Sequence, residues 1–302
     1  MKQTIFTFLF FTVIALVSCK KNQYNPDILQ YDEDQITAYI KANGLTGMVR
    51  DTSGIYYKII TPGTGTPLQY TDSLAMVYSF SSFDGKYLSP DTIQNHFEDF
   101  MGHISTPDNY PYGLQFIIHN VINQKGAVAR ILIPSHLAYG VSGIGSGSSS
   151  VTNGKILGNQ CLDYNIHIIA NQDAYDQTLI TKYISDQGLS SSMKYDPAGF
   201  WYSISIPGTG TVPITNNTTV TATYTLRTLN GIVVAEANSN TVAIDIPDIM
   251  RGMQIGLEKY GSTGALMSFI IPSSLAYGKN LTGSIPANSV LRYDIQIDDV
   301  TP

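Results

Sequence analysis

One ordered set of short motifs occurs twice along the 302-residue chain, and this repetition limits the possible folds more than any other feature. ITAYIKANGL at 36–45 returns as ITKYISDQGL at 180–189, and PGTGT at 62–66 returns at 207–211. The turn dipeptide Asp84-Gly85 answers to Asn230-Gly231, and ILIPSHLAYG at 131–140 to FIIPSSLAYG at 269–278. YNIHI at 164–168 answers to YDIQI at 293–297. Five collinear matches mean a tandem duplication of a unit of about 140 residues, not a solenoid of short repeats. The first copy is longer between the landmarks, at 89–110 and at the Gly/Ser-rich stretch 141–155.

Within each unit the pattern is mostly of strands. Val220, Ala222, Tyr224 and Leu226 alternate with threonines, and Leu291, Tyr293, Ile295 and Ile297 alternate with polar residues. Leu74, Met76, Tyr78 and Phe80, then Leu162, Tyr164, Ile166 and Ile168, do the same in the first unit. A helix-like segment opens each unit, with Ile36, Tyr39, Ile40 and Leu45 near a 3.6 period and Gly44 as its stop. The mixed spacing at 249–260 reads as one short helix crossing a sheet. The fold class is therefore α+β, each unit a curved antiparallel sheet wrapped on a short helix. With 13% charged residues and a net charge of −6, the chain lacks the basic stripe that nucleic-acid binding requires.

The first twenty residues read as an export signal. Lys2 precedes an apolar run, Ile5 to Val17, that is too short to span a bilayer of ~30 Å. Leu16-Val17-Ser18-Cys19 has the form of a bacterial lipobox, so residues 1–18 would be removed and Cys19 would carry lipid. That places the protein at the cell envelope, anchored to a membrane and not spanning it. Cys161 is the one other cysteine, so no intramolecular disulfide is expected. Five histidines (His96, His103, His119, His136 and His167) lack metal-ligand spacing, and GIGSGSSS has no following phosphate-loop lysine.

The order of motifs resembles the FK506-binding-protein (FKBP) family of peptidyl-prolyl cis–trans isomerases, present twice. The carriers are a PGTG turn, a strand ending in tyrosine, a DG or NG turn, a short helix bearing glycine, IPSxLAYG and a closing strand with an aromatic. The most specific piece is IPSSLAYG followed by SIPANSVLRYDIQI. The resemblance implies two tandem FKBP-like domains, at 54–170 and 199–302. Residues 19–53 are read as a tether and short helix, and 171–198 as a linker and short helix, both outside the family domain.

The resemblance also implies a shallow aromatic pocket that takes a proline side chain. In the second unit it would consist of Tyr224, Val234, Ile249, Met250, Met253 as floor, Ile285 and Tyr293, with Tyr277 of LAYG as the catalytic donor. In the first it would hold Tyr78, Leu88, Ile156 and Tyr164, with Tyr139 as donor. Its floor is open between Leu114, which aligns with Met253, and Phe116, which follows from counting back from Gly126. The family's floor tryptophan is absent, because Trp201 lies on a first strand. The aspartate after the DG turn is absent too, since that position falls on Ser89 and Ala235, and alternation turns Glu236 to the opposite face.

Such catalysis needs no cofactor, metal or nucleophile. Rotation about an X-Pro bond faces a barrier of ~20 kcal/mol because the amide loses resonance, while cis and trans lie within ~1 kcal/mol of each other. A pocket accelerates it by holding proline in an apolar cup and bonding the twisted amide better than the planar one. The expected function is an envelope-anchored isomerase acting on proline-containing polypeptides. The alternative is a non-catalytic scaffold that binds proline-containing segments or envelope partners.

Overall fold

The computed structural model describes residues 27–106, 110–145 and 155–302. The export signal, Cys19 and most of the Gly/Ser-rich loop lie outside these residues.

The first half begins with helix α1 (Ile28–Ala42), followed by strands β1 (Val49–Arg50), β2 (Tyr56–Thr61), β3 (Ser73–Ser82), β4 (Leu88–Ser89) and β5 (His96–Phe100). Helix α2 (Tyr112–Asn120) and strands β6 (Val128–Ile133) and β7 (Leu162–Ile168) complete it. The second half runs α3 (Gln172–Asp186), β8 (Lys194–Tyr195), β9 (Trp201–Ile206), β10 (Thr219–Thr228), β11 (Val233–Asp245), α4 (Arg251–Tyr260), β12 (Leu266–Ile271) and β13 (Leu291–Thr301).

The two sheets have one topology. The first is ordered β1-β2-β6-β7-β3-β4, with β5 also on β3, and the second β8-β9-β12-β13-β10-β11. All pairings are antiparallel. β4 and β5 together cover the length of β3 that β11 alone covers on β10. Phe80 faces Ser89 and Met76 faces Phe97, as Leu226 faces Ala235 and Ala222 faces Val242. The stretch 89–110 is therefore not all insertion, since β5 is the counterpart of 241–245. The extra chain lies after it: eleven residues join β5 to α2, whereas five join β11 to α4.

Alternation along the strands puts one face of each sheet against a helix. Met253 and Leu257 of α4 are buried with Ala222, Phe269, Ile295 and Ile297. Leu114, Ile117 and Ile118 of α2 are buried with Met76, Ala129, Ile131 and Ile166. Close approach is made possible by glycine. A Cβ on Gly252 would stand 2.6 Å from Ile271 Cγ2, and one on Gly113 would stand 2.6 Å from Ile133 Cγ2. The two helices thus sit in the same register on their sheets, which settles the open alignment: Leu114 occupies the place of Met253.

The opposite face of each sheet is also covered, which strand alternation alone did not suggest. On α1, Ile36 is buried with Leu132 and Cys161; on α3, Ile180 and Ile184 are buried with Ile270 and Val290. Each helix is capped at its start, Asp27 accepting from Leu29 N–H (3.1 Å) and Asn171 from Ala174 N–H (2.9 Å). α1 starts at Ile28, inside the stretch read as tether, and Gly44 ends it with φ +59°. Trp201 packs here, its indole Nε1 donating to Gln177 Oε1 of α3 at 3.2 Å. Among the described residues no helix is long and apolar enough to cross a membrane.

Candidate active site

In the second unit the side chains expected to form a pocket come together. Met250, Met253, Ile285 and Tyr293 are buried in one cluster, with Tyr224, Val234, Ile249 and Tyr277 partly buried against it. β10 and β13 hold the two ring-bearing positions side by side. The rings of Tyr224 and Tyr293 stack at 5.1 Å with planes 23° apart. Tyr277 follows the 3₁₀ turn Ser273–Leu275. Burial pushes its hydroxyl pKa upward, and proximity to Tyr224 adds to the shift. Burial, then Tyr224 and Tyr277, raise that of Tyr293 far more. Tyr277 and Tyr293 therefore stay protonated across the neutral range and keep an O–H to donate. Among the described residues, the Tyr277 hydroxyl has no hydrogen-bond partner. Glu236 is exposed and bonds Asn238, so no carboxylate faces the cluster from this strand.

The first unit brings the corresponding residues together but closes over them. Tyr78, Leu114, Ile156 and Tyr164 are buried in one cluster, with Phe116 and Tyr139 partly buried at its edge. Leu88 departs from expectation: it is 50% exposed on β4 and lies outside the cluster. Its neighbour Tyr87 packs inward instead, 5.0 Å from Phe80. The hairpin register pairs Ser81 with Leu88, and the following residue in line, Ser82, donates its N–H to the Tyr87 carbonyl oxygen; counting from the turn missed this by one.

Two rings from chain beyond the hairpin fill the space over Tyr78. Tyr110 stands edge-on to Tyr78 at 5.5 Å and accepts its hydroxyl proton at 2.9 Å, while Phe97 stands edge-on to Tyr110 at 5.7 Å. Burial pushes the Tyr139 hydroxyl up to about 12. The Tyr164 hydroxyl is fully enclosed beside that of Tyr139, and burial pushes its pKa well above the ordinary range.

A family model of FKBP-type peptidyl-prolyl cis-trans isomerases matches residues 210–298, the segment that carries this second cluster. That segment is similar to FKBP-type domains. Mouse (Mus musculus) peptidyl-prolyl cis-trans isomerase FKBP9 is 26% identical over 251 residues, 82% of this chain and 38% of that protein. The FKBP-type isomerase FkpA of Buchnera aphidicola (from Schizaphis graminum) is 33% identical over 105 residues, 34% of this chain and 41% of its own. The chain thus spans about two fifths of the length of these curated relatives. The crystal structure of FkpA from Escherichia coli is 25% identical, covers 43% of this chain and 61% of its own, and has a TM-score of 0.38.

Two features that spacing did not reveal tie the FKBP-type turn to the preceding helix. Asp176 of α3 is buried, its Oδ2 accepting from Ser273 N–H (2.7 Å) and Ser273 Oγ (2.6 Å) and its Oδ1 from Gln172 Nε2 (2.8 Å). Asp32 of α1 makes the same link to Ser135 Oγ (2.6 Å) and His136 N–H (3.1 Å), with the His136 Nδ1 at 2.7 Å and Cys161 Sγ at 3.6 Å. This Asp-His-Ser-Cys group is not arranged for nucleophilic attack: hydroxyl and thiol both sit on the carboxylate, not on the imidazole. Burial raises the Cys161 thiol pKa and keeps it protonated.

A cleft of about 230 Å³ lies elsewhere, between β5, α3 and the 288–290 segment. Two of its charged lining residues are already paired, Lys182 with Asp186 at 2.6 Å, and the Asn230 amide on its wall donates to Asp91 at 2.8 Å.

Proposed function

We propose that the protein is a peptidyl-prolyl cis–trans isomerase built from two FKBP-like domains in tandem, with its activity in the second. The observation that carries this is the coincidence of the family match with an aromatic cluster whose tyrosine donor is unpartnered among the described residues. A proline ring would rest on the stacked Tyr224 and Tyr293 with Met253 beneath and Ile285 beside it. There the adjoining carbonyl loses water and the amide loses part of its resonance stabilisation. Tyr277 O–H would bond the carbonyl as it rotates out of plane. A donor whose bond strengthens in the twisted state lowers the barrier; one that binds planar and twisted amide alike does not.

The first domain is the closed copy in this reading, because Tyr110 and Phe97 of its own chain cover Tyr78. The leader supports export and lipid attachment at Cys19, so the substrates would be X-Pro bonds of proteins folding at the cell envelope. Ala235 stands where the family carries a pocket carboxylate, which favours slow turnover or binding alone.

A protease-free isomerisation assay on the soluble body, residues 24–302, distinguishes the two. A rate above the uncatalysed one that Tyr277→Phe depresses supports the isomerase. Saturable binding of proline peptides without acceleration replaces it with the binding module. For the anchor, Cys19→Ala should move the protein from the membrane to the soluble envelope fraction, and unchanged fractionation removes the lipoprotein reading.

A further inference from the structure

The helix that precedes each FKBP-like domain sends a carboxylate into the turn that carries the LAYG tyrosine. In the second unit Asp176 bonds both the N–H and the hydroxyl of Ser273, the first residue of the 3₁₀ turn after Pro272. The turn is then closed by Gly278 N–H on Ser273 carbonyl oxygen (2.8 Å) and by Asn288 N–H on Gly278 carbonyl oxygen (2.7 Å). Tyr277 sits inside this closed loop, one residue before Gly278. In the first unit Asp32 bonds Ser135 and His136 four residues before Tyr139. The two aspartates are 144 residues apart, the same offset as the helices that bear them.

A buried carboxylate is costly unless donors satisfy it, so a residue that merely filled space between α3 and the sheet would be apolar like Ile180 and Ile184. Two of the three donors on Asp176 belong to the Ser273 turn. The carboxylate also supplies the acceptor that the first N–H of a short helix lacks.

We propose that Asp176 is a positioning residue for the isomerase site: from a helix outside the family-matched segment, it fixes the 273–278 turn and with it the Tyr277 hydroxyl. This rests on the reading of Tyr277 as the donor.

A double-mutant cycle tests it in the full soluble body, at a temperature where each variant is folded by circular dichroism. Asp176→Ala should lower kcat/KM roughly ten- to a hundredfold, the loss expected when a reacting group shifts by about 1 Å. The double variant Asp176→Ala/Tyr277→Phe should be no slower than Tyr277→Phe alone, because the aspartate acts only through the tyrosine. Asp176→Asn, which retains an acceptor oxygen, should recover most of the rate, and Ser273→Ala should fall between. Asp186→Asn, on the exposed side of the same helix, should leave the rate unchanged. Losses that multiply in the double variant overturn the proposal, as does wild-type kcat/KM in folded Asp176→Ala. If wild type itself gives no acceleration, the isomerase reading fails separately. The positioning claim is then decided by the Tyr277 ring resonances, which must shift in Asp176→Ala, return towards their wild-type positions in Asp176→Asn, and stay unchanged in Asp186→Asn.

Discussion

Tyr277 and Tyr139 occupy the same place in their two turns, yet their surroundings differ. Tyr277 is half-buried beside Tyr224, whereas Tyr139 borders a cluster that Tyr110 and Phe97 have already filled. Deleting a donor whose bond strengthens in the transition state costs ~1–3 kcal/mol, about one to two decades in rate. Tyr277→Phe should therefore slow isomerisation by that amount and Tyr139→Phe should leave it nearly unchanged. If Tyr139→Phe is the damaging change, the first unit is the enzyme. Because burial raises the pKa of the Tyr277 hydroxyl, the rate should stay flat from pH 6 to 8, where a histidine mechanism would titrate. The aromatic positions were legible because each follows from a motif: Tyr277 from LAYG, Tyr224 and Tyr293 from strands with clear alternation. Tyr87 was not, because a turn of uncertain register shifts every later side chain to the other face. Asp176 was not either, since a lone aspartate on a helix ordinarily reads as solvated.

The outer helices show the same limit at the level of elements. Asp32 and Asp176 interrupt the apolar stripes of α1 and α3 at the positions that face inward, so the periodicity understates how much of each helix is buried. The inner helices were legible as helices, but their packing depth was not, because it depends on one missing side chain. A methyl group at Gly252 would meet Ile271 Cγ2 at 2.6 Å and Leu275 Cβ at 3.3 Å, too close for either to remain in place. Overpacking of this kind costs about 1–3 kcal/mol. The better helix propensity of alanine returns up to ~1 kcal/mol. Gly252→Ala should therefore be neutral to destabilising by up to about 2 kcal/mol, and Gly113→Ala, with the same 2.6 Å approach to Ile133, should match it. Urea unfolding measures both; a clear gain in stability for either would mean that the helix stands further from its sheet.

At the scale of the whole molecule, the two sheets have separate cores, and the halves touch through Tyr175 of α3, edge-on to His167 of β7 at 5.4 Å, and through polar contacts. Asn288 of the second donates to Glu98 (2.5 Å) and stands 3.1 Å from His96 Nε2 of the first. Asn230 donates to Asp91 at 2.8 Å. Because α3 is tied to the second sheet through Asp176 and Trp201, the chain divides naturally between Ala170 and Asn171, ahead of the helix cap. Fragments 27–170 and 171–302 should each unfold cooperatively, as small domains do. Fragments that fold only when mixed would mean one intertwined domain. The junction should also respond to pH. Burial lowers the pKa of His96, which Glu98 partly opposes, with Lys182 and Asp186 across the cleft paired to each other. A neutral imidazole accepts from the Asn288 amide; a protonated one presents N–H to N–H. A histidine whose folded pKa is depressed contributes stability above its unfolded value of ~6.5, and that contribution is lost as pH falls. The unfolding midpoint of the intact chain, measured against those of its fragments, should therefore exceed them at pH 7.5, with the difference shrinking as pH falls below ~6.5. His96→Gln, which keeps an acceptor but cannot be protonated, should hold the difference across that range. A difference that persists at low pH in the wild type would mean that His96 does not govern the contact.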